Sequence, residues 1–170
     1  MDTTETVRFS DNTIKYLTKA GWYPGRSIDI SEIEQTLTQI GFDIFPAAQA
    51  FWREFDGIDY VYQYADSRGG CVGFEALLAG EPPFEKFKKS MEDVSQPLCP
   101  IGMRAGEVEI FAIDPDSRIY GIEGGIGLYC DSPDYFIENL PKGRNAIWAW
   151  TPKPKKSIFV ELFARLAKGK

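Results

Sequence analysis

Three cysteines and no histidine limit the chemistry that this 170-residue chain can perform. Without an imidazole, catalytic triads of the Ser-His-Asp type and Cys-His pairs are excluded, and so is every zinc site that needs a histidine ligand. The cysteines, Cys71, Cys99 and Cys130, are widely spaced and form no Cys-x-x-Cys pair. Because their number is odd, we expect reduced core or half-buried thiols in a cytoplasmic protein, with no metal bound.

Two loops carry residues of ligand-binding types at spacings that do not fit a known site. The cluster Gly121–Gly127 lacks the Lys-Ser or Lys-Thr that a phosphate-binding loop needs after its glycines. Asp114 begins a stretch like a calcium loop, but positions six and twelve are Ile119 and Gly125, where that loop needs glycine and glutamate. The sequence therefore predicts turns between strands at both places, with no catalytic residue and no cofactor.

The acidic side chains are concentrated outside the last twenty residues. There are 19 Lys+Arg and 25 Asp+Glu, a net charge of −6, yet residues 151–170 hold six basic residues and one acidic residue. Residues 1–150 therefore hold 13 basic and 24 acidic residues, a net charge of −11. An acidic body of this kind repels nucleic acid and favours a basic protein partner.

Carboxylates and tyrosines are interleaved near the middle of the chain. The carboxylates there are typical of a solvated face, of acid–base or metal chemistry, or of a surface for a basic protein. No spacing holds two of them face to face, and aromatic rings are favoured at the centres of interfaces. We therefore predict a partner-binding surface formed by Asp56, Asp59, Tyr60, Tyr62, Tyr64 and Asp66.

Hydrophobic periodicity indicates helices first and strands later, which predicts an α+β fold with helices on one face of an antiparallel sheet. Helices are predicted over 10–20, 31–40, 46–55, 84–93 and 133–140, and strands over 59–64, 71–74, 98–101, 107–113, 118–122 and 126–130. Ser10 or Asp11, Ser31 with Glu34 as capping-box partner, and Ser132 are the predicted helix N-caps.

The end of the chain has a different composition from the rest. Residues 151–156 form a basic, proline-rich linker, and residues 157–170 predict an amphipathic C-terminal helix that docks on its own domain, on a membrane surface or on a partner. The predicted main domain is 1–150. The polar N-terminus does not resemble a signal peptide, and no apolar run approaches the roughly 20 residues of a membrane helix.

A series of short motifs follows a characteristic order along the chain. They are Gly21-Trp22-Tyr23-Pro24-Gly25-Arg26, Phe45-Pro46-Ala47-Ala48, an aromatic helix ending at Asp56-Gly57, Cys99-Pro100-Ile101-Gly102 and Arg118-Ile119-Tyr120. This order resembles the SUKH superfamily, and specifically its third family of immunity proteins. We take Trp22, Gly25, Arg26, Phe45, Pro46 and Gly57 as its fold signature.

The resemblance implies a SUKH-like (Smi/Knr-like) antiparallel sheet with N-terminal helices packed on one face. It also implies a cytoplasmic bacterial immunity protein of a polymorphic-toxin or contact-dependent inhibition system. Such a protein is not an enzyme. It binds a cognate toxin domain, often a basic nuclease, and occludes it without a cofactor. The alternative is a regulatory adaptor of the Smi/Knr type that mediates protein–protein interaction and meets no toxin.

The signature residues have expected structural roles. Trp22 should pack over the helices beside its turn, and Arg26 should tie that turn to a helix C-terminus or to a carboxylate. Asp56-Gly57 should make a tight reversal into the first strand.

Overall fold

The computed structural model describes residues 8–80, 84–104 and 109–143. The helices are α1 (Asp11–Lys19), α2 (Ser31–Ile40), α3 (Pro46–Phe55), α4 (Ala76–Gly80), α5 (Phe84–Val94) and α6 (Pro133–Asn139), and a 3-10 turn (Leu140–Lys142) follows α6. The strands are β1 (Ile58–Gln63), β2 (Gly69–Phe74), β3 (Cys99–Arg104), β4 (Ile110–Ile113), β5 (Ile119–Ile122) and β6 (Ile126–Cys130). The predicted linker 151–156 and helix 157–170 lie outside the described residues.

The six strands form one antiparallel sheet in the order of the chain, from β1 to β6. Each strand pairs with the next, and the helices α4 and α5 are inserted between β2 and β3. Within the described ranges, β1 and β6 are therefore the two edges of the sheet. The predicted α+β class with an antiparallel sheet is confirmed.

One face of the sheet, which we call the inner face, carries a continuous set of aromatic rings. Phe74 of β2 lies 5.4 Å from Phe51 of α3 and 6.4 Å from Phe136 of α6, measured between ring centroids. Phe111 of β4 lies 4.8 Å from Phe136, and Tyr16 of α1 meets Tyr60 of β1 at 6.4 Å. Helices from both ends of the described chain thus cover the same face, as the sequence predicted.

Three predicted helix caps have different outcomes. The Ser10 hydroxyl accepts a hydrogen bond from the Thr13 amide, and the Ser132 hydroxyl accepts one from the Tyr135 amide, so both caps are confirmed. The Ser31 prediction is wrong, because Ser31 is the first helical residue of α2. The Asp29 carboxylate instead accepts from the Ser31 amide at 3.0 Å and from its hydroxyl at 2.5 Å.

Glu34 has a different partner from the one predicted by the capping box. Its Oε1 accepts a hydrogen bond from the side-chain amide of Gln49 at 2.5 Å. This contact joins α2 to α3, so Glu34 links two helices and does not close the start of its own.

The cysteines are free thiols, as expected. Cys99 and Cys130 are buried, while Cys71 is half-buried. Burial raises the pKa of each of the two buried thiols to about 12. These two thiols therefore stay protonated at neutral pH and serve as core side chains.

Asp114 forms the buried centre of the turn between β4 and β5. Its carboxylate accepts hydrogen bonds from the amides of Asp116 and Arg118, each at 2.9 Å. The same carboxylate accepts from the Arg118 guanidinium at 2.6 Å and from the Tyr120 hydroxyl at 3.0 Å. The group that resembled the start of a calcium loop is thus filled by donors of its own turn, and the predicted turn is confirmed.

Replacing Asp114 with alanine should destabilise the protein by about 2–4 kcal/mol, because a buried carboxylate with four donors is removed and those donors lose their acceptor. Urea unfolding followed by circular dichroism measures the loss. The matched control is Asp116→Ala, since the Asp116 side chain is 69% exposed. Equal midpoints for the two variants would contradict this role of Asp114.

Candidate functional site

The six residues of the predicted partner surface do not lie on one face. Asp59 and Asp66 are exposed, and Tyr64 and Asp56 are half-buried. Tyr60 and Tyr62 are 0% and 1% exposed. The physical reason is the period of two in a strand, which sends neighbouring side chains of β1 to opposite faces. The expectation that both tyrosines present their rings to a partner is therefore corrected.

Tyr60 and Tyr62 anchor β1 to the inner face. The Tyr60 hydroxyl donates to the carbonyl of Ile137, 3.4 Å away, in the last turn of α6. The ring of Tyr62 lies over Gly70 of β2, where an added Cβ would come within 2.4 Å of the ring. Gly70, which precedes the predicted strand 71–74, is part of β2 and leaves room for this tyrosine.

A buried ion pair lies beside these tyrosines. The Arg104 guanidinium donates to the Glu109 carboxylate at 2.9 Å, and the two side chains are 7% and 2% exposed. Arg104 also donates to the hydroxyls of Tyr62 and Tyr64, at 3.0 and 3.2 Å, and the Tyr129 hydroxyl donates to Glu109. Burial raises the pKa of Tyr62 and Tyr129, so both phenols stay protonated and none serves as a base.

Neither Arg104 nor Glu109 belongs to the predicted site. The sequence shows only an arginine at the end of one apolar segment and a glutamate before the next. Their contact can be foreseen only when the register between β3 and β4 is known. The cluster ties β1 to β3 and β6 through polar contacts on the inner face.

Asp56 and Asp66 each have a local structural role. The Asp56 carboxylate accepts a hydrogen bond from the Ala76 amide at 2.8 Å, where α4 begins, and burial raises its pKa. The Asp66 carboxylate accepts from the amide and the guanidinium of Arg68, and these contacts lower its pKa. Asp56 thus fixes the start of a helix, and Asp66 closes the exposed turn between β1 and β2.

The outer face of β1 presents the side chains of Asp59, Val61 and Gln63, which we call the outer strip. All three are exposed, and Val61 is 54% exposed. Opposite them on β2, Gly73 pairs with Asp59 and Gly69 pairs with Gln63, so little side-chain bulk stands beside the strip. Within the described part of the chain, Asp59 has no ion-pair partner, which leaves its carboxylate available to a basic group.

Arg26 holds the start of β1 in place. Its guanidinium donates to the carbonyl of Glu54 at 2.6 Å and to that of Asp56 at 2.8 Å. These groups lie at the C-terminal end of α3, as the sequence predicted for Arg26. Gly57 then has φ of +77° and its amide donates to the Phe74 carbonyl, which makes the expected reversal into β1.

The remaining signature residues surround the same helix. Phe45 and Pro46 start α3, with Pro46 at its first position. Trp22 is buried, and its indole donates to the Glu54 carboxylate at 3.0 Å while its ring meets Phe9. Gly25, with φ of +78°, lets the preceding turn reach Arg26.

A second acidic surface joins residues that are far apart in sequence. Arg8 donates to both carboxylate oxygens of Asp134 on α6 and to Glu54 on α3. Glu138 accepts from the Ser10 amide at 3.0 Å, and Tyr135, 41% exposed, lies beside these acids on α6. Sequence reasoning missed this surface because the contacts span up to 128 residues.

Replacing Arg26 with glutamine should destabilise the fold by about 2 kcal/mol, because charge-assisted hydrogen bonds to two helix-end carbonyls are lost. The control is Arg53→Gln, because Arg53 is an exposed arginine on α3, and this change should alter stability by less than about 0.5 kcal/mol. Urea midpoints measure both. If the two variants unfold alike, Arg26 does not hold the end of α3.

Replacing Arg104 with methionine should cost about 3–5 kcal/mol, because Glu109 is left as a buried, uncompensated charge. The double variant Arg104→Met with Glu109→Leu removes both charges and should recover part of that loss. Chemical unfolding of wild type, both single variants and the double variant completes the cycle. Additive losses would show that the two charges are not coupled.

Comparisons with known proteins give one match. The family model described as the SUKH-3 immunity protein matches residues 9–143. No curated protein and no solved structure matches the chain. Over residues 8–80, 84–104 and 109–143, no helix is long and apolar enough to cross a membrane, and no three metal-ligating side chains come together.

Proposed function

The chain belongs to the SUKH-3 immunity protein family, and from this premise we propose that it neutralises a cognate toxin by binding and occluding it. The toxin is a basic nuclease domain of a polymorphic or contact-dependent inhibition system, and the complex forms in the cytoplasm. The protein acts stoichiometrically, as a protein-binding inhibitor that makes and breaks no covalent bond.

Charge supports this proposal. Residues 1–150 carry 24 acidic and 13 basic residues. A nuclease needs a positive surface to bind nucleic acid, and a protein of opposite sign approaches such a surface faster than a neutral one. An acidic inhibitor can therefore occupy the path that the nucleic acid would take.

The outer strip and the β1–β2 turn are the surface we assign to the toxin. Asp59 has no ion-pair partner among the described residues, and Asp66 remains exposed although it bonds Arg68. Tyr64, half-buried, is the remaining ring of the predicted set that reaches the surface. The other three residues of the predicted set support this surface without facing the toxin. Tyr60 and Tyr62 hold β1 on the inner face, and Asp56 fixes the start of α4.

The test is co-expression with the toxin domain encoded directly upstream of the gene in its native genome. Growth is restored if the chain is an immunity protein, and purified toxin binds it with a one-to-one stoichiometry. Toxicity that persists, with no complex formed, would refute the function. An isolated gene with no toxin beside it would favour the adaptor alternative.

Reversing the charge of the outer strip and of the β1–β2 turn, with Asp59→Lys and Asp66→Lys together, should slow association with that toxin about tenfold or more at low salt, because a steering attraction becomes a repulsion. The control is Asp93→Lys on α5, which exchanges an exposed acid elsewhere. Stopped-flow association at two salt concentrations measures the effect. A rate that falls equally in the control would place the toxin on another face.

A further inference from the structure

The edge strand β1 leaves one side of its backbone unpaired within the described ranges. The Tyr64 amide donates to the Arg68 carbonyl at 2.8 Å, which fixes the residues of β1 that bond to β2. In an antiparallel pair these alternate, so Tyr62, Tyr60 and Ile58 bond inward. The amides and carbonyls of Asp59, Val61 and Gln63 therefore point to the open edge.

Apart from the charged side chain of Asp59, the edge strand β1 lacks the usual protection against pairing. Natural edge strands carry lysine, proline or a bulge in mid-strand, each of which discourages a further strand. Between Ile58 and Gln63 there is no lysine, no proline and no register shift. The central outward residue is Val61, an apolar side chain that is 54% exposed.

We propose that β1 pairs with β1 of a second copy of this chain, antiparallel and centred on Val61. In such a pair, two residues lie opposite each other when their numbers add up to twice the number of the central residue, Val61. Val61 then meets Val61 of the second copy, and Asp59 meets Gln63 of the second copy on each side. All three outward residues find outward residues opposite, and each pair exchanges two backbone hydrogen bonds.

The side chains are complementary in this register and not in its neighbours. The Asp59 carboxylate accepts from the Gln63 carboxamide of the second copy, and the two exposed valines bury apolar surface against each other. The two nearest slips that keep outward residues opposite each other set Val61 against Asp59 or against Gln63, so the hydrogen bond between Asp59 and Gln63 and the contact between the two valines are both lost. A one-residue slip loses the match between outward backbone groups.

The pairing makes one sheet from two copies and keeps both outer strips on the same face. The two-fold axis passes between the two Val61 residues and stands perpendicular to the sheet, so the odd-numbered side chains of both copies project to the same side. The two Asp59 residues are then about 13 Å apart along the strands, four residues at about 3.3 Å each. The dimer presents an acidic face twice as wide.

Sedimentation velocity of the full chain over a wide concentration range tests this proposal. Wild type should dimerise, and Val61→Lys should weaken association by more than about tenfold, because two ammonium groups face each other. Ile40→Lys is the matched control, since Ile40 is an exposed apolar residue on α2 at 42% exposure. Circular dichroism checks that both variants fold.

A charge swap separates pairing at Val61 from a general loss of association. Val61→Lys and Val61→Asp should each be monomeric alone and should form a heterodimer when mixed, because opposite charges then meet at the centre. Wild type that stays monomeric at every concentration overturns the proposal. Hydrogen exchange gives a second check. If the amides of Asp59, Val61 and Gln63 are protected in the monomeric Val61→Lys variant as strongly as in the wild-type dimer, another segment of the chain covers the edge and the proposal is overturned.

Discussion

The contact between Arg26 and the C-terminal end of α3 is the one on which the start of the first sheet strand depends. A helix leaves its last carbonyls without partners, and here three carbonyls at the C-terminal end of α3 are bonded by a neighbouring segment. Arg26 serves the carbonyls of Glu54 and Asp56, and the Ile28 amide serves that of Arg53 at 3.0 Å. Because the chain leaves this point through Gly57 into β1, the Arg26 guanidinium fixes where the edge strand begins, and its pairing with β2 fixes the rest.

From that start, the alternation of β1 divides the molecule into two environments. The inner side joins a continuous aromatic core that includes Phe74, Phe111 and Phe136. Its polar atoms are satisfied by Arg104 and by the Ile137 carbonyl, so the tyrosines are buried without losing their hydrogen bonds. The outer side carries Asp59, which has no ion-pair partner within the described residues, and Val61, which is exposed, so these side chains contribute little to packing.

Most elements could be predicted from the sequence because their signals are local. The bounds of α2, α3 and β6 agree with the periodicity, and Ser10 and Ser132 cap as their types and positions predict. The predicted Ser31 cap is wrong because the Asp29 carboxylate, two residues earlier, bonds the amide at the start of α2, and sequence alone does not choose between two polar residues this close together. The contacts of Arg104 and Arg8 depend on register and on packing between distant segments, which no local pattern contains.

The same alternation has a consequence for how this protein can change over evolutionary time. Substitution at Tyr60 or Tyr62 disturbs the core, so those positions are held by folding. At Asp59, Val61 and Gln63 a new side chain meets solvent and the small residues Gly73, Cys71 and Gly69 of β2, and the fold tolerates it. The surface we propose for partner binding can therefore change at every second residue of one strand, while the fold that carries these residues stays the same.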